Sequence, residues 1–182
     1  MISTRAELTA AMASGFEPQF VFFWGHHAKA PGVADRSCFS QWFESPFVVD
    51  GVTYATAEHW MMVQKARRFQ DTEAARAILE ATTPAEAKAL GRGVRGFDDA
   101  AWAGKRFELV IAGNVAKFSA HPALKAVLLE TQSAVLVEAA PRDQIWGIGL
   151  SASNPRAVTP EHWRGQNLLG FALMQVRDHL SR

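Results

Sequence analysis

Glu58, Met62 and Lys65 are spaced i, i+4 and i+7, so a helix through this segment carries them on one face. A carboxylate and an amine on an otherwise apolar stripe suggest chemistry. Beside Met61, Met62 and Phe69, desolvation would lower the pKa of the Lys65 amine and free it for nucleophilic attack. Glu58 falls in the first turn, where the helix dipole favours its ionised form. The structural alternative is a helix-terminal Glu with a Lys whose stem snorkels toward solvent.

A second candidate is the stretch from Glu138 to Gly149. It delivers Glu138, Asp143 and Trp146 into a loop containing Gly147 and Gly149. Loops held by a rigid scaffold often carry binding groups, and the glycines let backbone N–H groups approach a phosphate or ribose. The alternative is a turn with a packed Trp. Trp102, Arg106, Gly113 and Lys117 form a third group, roughly along one stripe of a long helix. Gly113 there permits close approach of a crossing helix or a ligand. Neither G-x-x-x-x-G-K-[ST] nor G-x-G-x-x-G occurs, so no standard phosphate loop or dinucleotide fingerprint is present. His26 and His27 are adjacent, and on a strand they point to opposite faces, so they do not chelate one ion. No metal site is expected, and no cofactor.

The elements that must position these residues follow from local signals. A short helix occupies the first residues, and Phe20–Trp24 reads as a buried strand. Asp50-Gly51 between Phe47–Val49 and Val52–Tyr54 predicts a hairpin with a type I′ turn. Thr56 predicts the start of a helix to about Phe69, Asp71 one over 72–81, and Thr83-Pro84-Ala85-Glu86 another ending near Gly91. Asp98 opens a long helix through Trp102 and Lys117, and His121-Pro122 starts one to about Thr131. Ala134–Glu138 reads as a strand, 141–165 as a loop, and Asn167 as the cap of a last helix to Leu180. The fold class is mainly α with a small β component, an α+β architecture in a single domain over 1–182 with its core at about 20–180.

Composition narrows the partners. The 182 residues carry 19 Lys+Arg against 18 Asp+Glu, a net charge of +1, whereas a protein bound to nucleic acid through overall charge is far more basic. The N-terminus lacks an apolar signal core, and no apolar run approaches the roughly 20 residues needed to span a bilayer. Cys38 is the only cysteine, read as a small buried hydrophobe. A cytoplasmic protein without membrane partners is expected.

Taken in order, the motifs resemble the NADAR, or YbiA-like, family from about Phe22 to Arg177. The blocks are Phe39-Ser40-Gln41-Trp42-Phe43; Tyr54 through Glu58-His59 to Gln64-Lys65-Ala66; Leu90-Gly91-Arg92; Trp102; and Lys117-Phe118. They continue with Leu136-Val137-Glu138, then Asp143 through Trp146-Gly147, and Trp163 through Asn167 to Gly170 with Arg177. The resemblance implies a YbiA-like fold and an N-glycosidase that cleaves between ribose C1′ and an exocyclic base nitrogen. One branch acts on phosphoribosylamino-pyrimidine intermediates of riboflavin biosynthesis and releases ribose 5-phosphate. Another removes ADP-ribose from guanine in nucleic acid. The family's functional positions fall on Glu58, Trp102, Asp143 and Trp146, and its helix lysine on Lys65.

The expected catalytic set is therefore Glu58, Lys65 and Asp143. Substrate binding is expected of Trp102 and Trp146 by stacking, Arg92 and Arg164 at phosphate, Gly147 and Asn167. All are expected to converge on one pocket. The partner is a small phosphoribosyl or ADP-ribosyl molecule, with nucleic acid only as a modified substrate. The sequence departs from riboflavin-type members at Gln41-Trp42, where they carry Asn-Phe, and in a longer stretch over 151–165. A non-catalytic ADP-ribose-binding module is the reading from another class. It has no need for a reactive amine beside two carboxylates.

Overall fold

The computed structural model describes residues 2–182. Along the chain run α1 (Arg5–Ala13), β1 (Phe20–Phe23), β2 (Phe47–Val49), β3 (Val52–Tyr54), α2 (Ala57–Arg68), α3 (Thr72–Glu80), α4 (Pro84–Arg92), α5 (Asp99–Ala103), α6 (Arg106–Ala120), α7 (Pro122–Leu129), β4 (Val135–Glu138) and α8 (Leu168–Leu180). Short 3-10 turns cover 36–39, 155–158 and 160–162. The architecture is mainly helical with a small β component, as the sequence predicts. The chain divides into two compact units, one of 41–125 and one built from both chain ends, up to Ser40 and from Ala126 onward.

In the 41–125 unit, local signals set the elements. Asp50 (φ 51°) and Gly51 (φ 77°) both have positive φ, as a type I′ turn demands, and Phe47 pairs with Tyr54 across the hairpin. Thr56, Asp71, Thr83 and Asp98 each accept a hydrogen bond from an amide in the first turn of the following helix. The helix after Asp98 is not one long element, however. It stops at Ala103, and α6 restarts at Arg106, because Gly104 and the non-helical Lys105 (φ −127°) interrupt the ladder. Trp102 thus sits on its own short helix, off the stripe that carries Arg106, Gly113 and Lys117. Phe47, Tyr54 and Trp60 cluster at ring separations of 5.8 and 5.0 Å, and Trp60 Nε1 donates to Leu109 O at 2.7 Å. Its indole lies against Gly113, where a Cβ would strike the ring, so α2 and α6 cross there closely.

The unit of the chain ends is organised around a two-stranded parallel sheet. β1 pairs with β4 in the register Phe20↔Val135 through Phe23↔Glu138. The expected buried strand over 20–24 is shorter and less buried. Only Phe23 is fully buried, and Trp24 lies past the strand end, 69% exposed. α8 packs on β4, with Gly170 at the crossing, where a Cβ would collide with Leu136 O.

Asn167 stands at the N-cap of α8 in a left-handed conformation (φ 57°), but its side chain does not cap the helix. Instead its Nδ2 donates to Leu136 O and its Oδ1 accepts from Glu138 N–H, both at 2.9 Å, so the amide acts as a third strand on the outer edge of β4. Asn167→Ala should leave two strand groups without partners, each costing about 1–3 kcal/mol where buried. A clear fall in the denaturation midpoint is expected. Asn167→Asp should not restore it, because a carboxylate cannot donate to Leu136 O. An unchanged midpoint would exclude this role.

Candidate active site

Glu58 occupies the first turn of α2, is 3% exposed, and its backbone N–H donates to Gln41 O at 2.9 Å. Gln41 is itself fixed. Asn114 Nδ2 donates to Gln41 Oε1 and to Val110 O, both at 2.8 Å, which settles the orientation of both amides. One turn further along α6, Lys117 is fully buried, its Nζ 5.7 Å from the Phe43 ring and 5.2 Å from Phe118. Next to Glu58, both ring nitrogens of His59 are engaged in structural contacts. Its Nε2 bonds Ala81 O at 3.1 Å, its Nδ1 pairs with Thr56 Oγ1 at 2.8 Å, and burial lowers its pKa.

Lys65 lies two turns along α2, about 10 Å further on the axis. It is 8% exposed. The sequence places it beside Met61, Met62 and Phe69, and the structure adds Gly91 O, to which Nζ donates at 2.7 Å, and the Phe97 ring at 4.0 Å, itself 5.3 Å from the Phe69 ring. Desolvation pushes its pKa below the ordinary lysine value, and the charge of Asp99 opposes this less strongly. Gly91 approaches so near because Met62 fills the space a Cβ would take. Arg92, the next residue, is exposed at the end of α4. Arg68 Nε donates to Ala101 O at 3.2 Å and ties α2 to the short helix of the buried Trp102. The structure thus gathers Lys65, the Gly91-Arg92 corner and α5 about two turns of α2 from Glu58, on the same helix face.

Asp143, Trp146, Gly147, Arg164 and Asn167 belong to the other unit. Asp143 Oδ1 accepts from the N–H groups of Ile145 (2.9 Å) and Trp146 (2.7 Å), with a longer contact to Gly147 at 3.5 Å. One carboxylate oxygen therefore shapes the loop, and Oδ2 takes none of these bonds. Gly147 is buried, and a Cβ there would press within 2.9 Å of Glu138 O and of Ala140 Cβ. Its N–H turns toward Asp143, so its absent side chain serves packing. Trp146 is half-buried. Arg164 is exposed and lines a cleft of about 600 Å³ with Arg5, Gln144 and Ile145, where Arg5 Nη1 donates to Trp163 O at 2.6 Å.

Two sequence expectations need correction. His26 and His27 do not diverge, because residues 24–28 are not a strand, and their rings lie 4.1 Å apart. Burial first, and then His27, lowers the pKa of His26. Among the described residues no group of three metal-ligating side chains gathers there or elsewhere. Asn167 is fully buried, with its side-chain amide committed to β4, which makes it a support of the Asp143 loop through Asn167 N–H to Gly147 O at 3.1 Å. Gln41 and Asn114 were not singled out as site residues. Their signal was an amide and a lysine one turn apart, Asn114 and Lys117, within an apolar helix.

The NADAR domain family model matches residues 22–181. The chain is 40% identical over 165 residues to N-glycosidase R617 of Acanthamoeba polyphaga mimivirus, covering 88% of this chain and 95% of that protein. It is 33% identical over 147 residues to N-glycosidase YbiA of Escherichia coli, covering 81% of each. The solution structure of E. coli YbiA superposes with a TM-score of 0.72 at 28% identity, over 91% of this chain and 87% of that one. The α+β fold is therefore that of YbiA. Among the described residues no helix is long and apolar enough to cross a membrane.

Proposed function

The chain belongs to the NADAR family and is a hydrolase acting on N-glycosyl compounds, and on that premise we propose that it cleaves the bond between ribose C1′ and the exocyclic nitrogen of phosphoribosylamino-pyrimidines, releasing ribose 5-phosphate in the cytoplasm. The observation that carries this reading is the pair on α2: a buried carboxylate at Glu58 and a desolvated amine at Lys65, held by one carbonyl. An exocyclic glycosylamine opens to an imine at C1′. The Lys65 amine adds to that carbon, and the base leaves as its free amine, taking a proton. A Schiff base between C1′ and Nζ remains. Water then adds to C1′, the aldehyde sugar departs, and the lysine amine is restored. The sum consumes one water and exchanges the C1′–N bond for a carbonyl. Glu58 moves the protons.

Asp143 and Trp146 serve the same reaction in this proposal, Asp143 through Oδ2 toward a sugar hydroxyl or the water. Trp146 and Trp102 contribute to holding the base. A stacked ring is worth about 1–3 kcal/mol per base. Arg92 and Arg164, both exposed guanidinium groups, are assigned to phosphate. Asn167 and Gly147 act by shaping the loop of Asp143. The test is to offer the purified chain a phosphoribosylamino-pyrimidine and an ADP-ribosylated guanine oligonucleotide in parallel. Release of ribose 5-phosphate at the higher kcat/KM supports the proposal. Preferential release of ADP-ribose would transfer the assignment to modified nucleic acid.

A further inference from the structure

Between α4, which ends at Arg92, and α5, which starts at Asp99, the chain turns past Lys65. Gly91 O accepts from Lys65 Nζ at 2.7 Å just before this turn, and the Phe97 ring centroid lies 4.0 Å from the same Nζ near its end. The ring also meets Phe69 edge to face at 5.3 Å. Phe97 is 41% exposed, whereas Lys65 is 8% exposed. The ring therefore stands between the amine and solvent on that side. Gly96, immediately before it, has φ 69°, in the left-handed region that favours glycine, which lets the chain double back onto α2.

Asp71, the buried N-cap of α3, fastens this turn. Its Oδ1 accepts from Ala74 N–H at 3.2 Å and from Arg95 Nη2 at 2.7 Å. Its Oδ2 accepts from Arg95 N–H at 2.9 Å and from Arg95 Nε at 3.2 Å. One of these bonds suffices for a helix cap. The other three all go to Arg95, two residues before Phe97, and the forked grip on the guanidinium fixes its direction. Those donors hold the Asp71 carboxyl well below the usual carboxylate range, so the clamp stays charged at neutral pH.

Charged groups approach the amine from each neighbouring element. Asp99 on α5 favours the ammonium. Arg68 on α2 is drawn to Ala101 O, Arg92 at the end of α4 is exposed, and Arg95 is held between Asp71 and Glu73. Only Asp99 offsets the loss of water at Nζ, and burial outweighs it.

We infer that Phe97 is a positioning residue for the Lys65 amine: Asp71 fastens the 93–98 turn at Arg95 so that the Phe97 ring shuts water away from Nζ. The cover itself is a property of the fold. Its effect on rate rests on the reading of Lys65 as the nucleophile.

The test is an NMR titration of the Lys65 side chain in the full-length protein without substrate, the resonance being assigned by its absence from Lys65→Arg. Phe97→Ala uncovers Nζ, and the titration midpoint should rise toward that of an exposed lysine. Phe97→Leu keeps an apolar cover and removes only the attraction of the ring face for a cation, so the midpoint should stay at or below the wild-type value. Arg95→Ala cuts the side-chain bonds of the clamp at a position 67% exposed, leaves Asp71 capping α3, and should also raise the midpoint. In the Phe97→Ala background the same change should add nothing, because the clamp acts through the ring. An Arg95→Ala effect that persists there would be the bare loss of a positive charge and would overturn the clamp. A midpoint unmoved or lowered in Phe97→Ala would overturn the cover. The acid limb of kcat/KM should follow the midpoint in each variant. A midpoint that rises while the limb stays in place would refute Lys65 as the nucleophile and support the cover.

Discussion

Glu58→Gln is expected to lower turnover by about 10²–10⁴-fold, the usual worth of a positioned proton-transfer group. The substitution keeps the shape of the side chain in a site where it is 3% exposed, and the anchoring bond to Gln41 O comes from the backbone N–H, which the variant retains. The fold and substrate affinity should therefore survive. Initial rates should show kcat and kcat/KM falling together, the signature of an interaction made only in the transition state. A variant that loses affinity while keeping kcat would assign Glu58 to binding.

Lys65→Arg and Lys65→Ala should each reduce turnover at least as far, because neither a guanidinium nor a methyl group is an available nucleophile. Arginine keeps the positive charge and a donor for Gly91 O, so it separates a nucleophile from an electrostatic contact. The pH profile supplies a second reading. A nucleophilic amine must be neutral, so the rate rises as pH climbs through the Lys65 pKa. Burial places that value below the ordinary lysine range. The acid limb of kcat/KM in the wild-type enzyme should lie below that of a free amine and well above the carboxylate range. A limb in the carboxylate range would instead report Glu58 ionising to activate water directly, and near-normal turnover by Lys65→Arg would agree with that route.

The parts of this fold that were legible in the sequence are those that local chemistry decides. Asp50-Gly51 fixes a turn because few residue pairs accept two positive φ angles. Thr56, Asp71 and Thr83 mark helix starts because each oxygen meets an amide in the turn that follows. The β1–β4 pairing was not legible, since it joins strands from opposite ends of the chain, and nothing near Phe20 names Val135 as its partner. Asn167 illustrates the same limit. Its position before an apolar helical run reads as a cap, yet its amide serves a strand residue, Glu138, 29 positions before it.

In the candidate site, Glu58 and Lys65 were found from spacing because a helix face is a local property. The supports around them were not, because Gly91 O, Phe97, Gln41 and Asn114 reach α2 only through tertiary packing. Asp143 was recognised as an acid in a loop. That one of its oxygens caps the loop became visible only once the amides of Ile145 and Trp146 were placed around it.

The most direct measurement is reductive trapping. Borohydride added during turnover of a phosphoribosylamino-pyrimidine reduces a C1′–Nζ Schiff base to a stable secondary amine. Peptide mass spectrometry should then find one sugar phosphate on Lys65, absent from Lys65→Ala and Lys65→Arg. An actively turning-over enzyme that yields no adduct, or carries it on another lysine such as Lys117, would contradict the account.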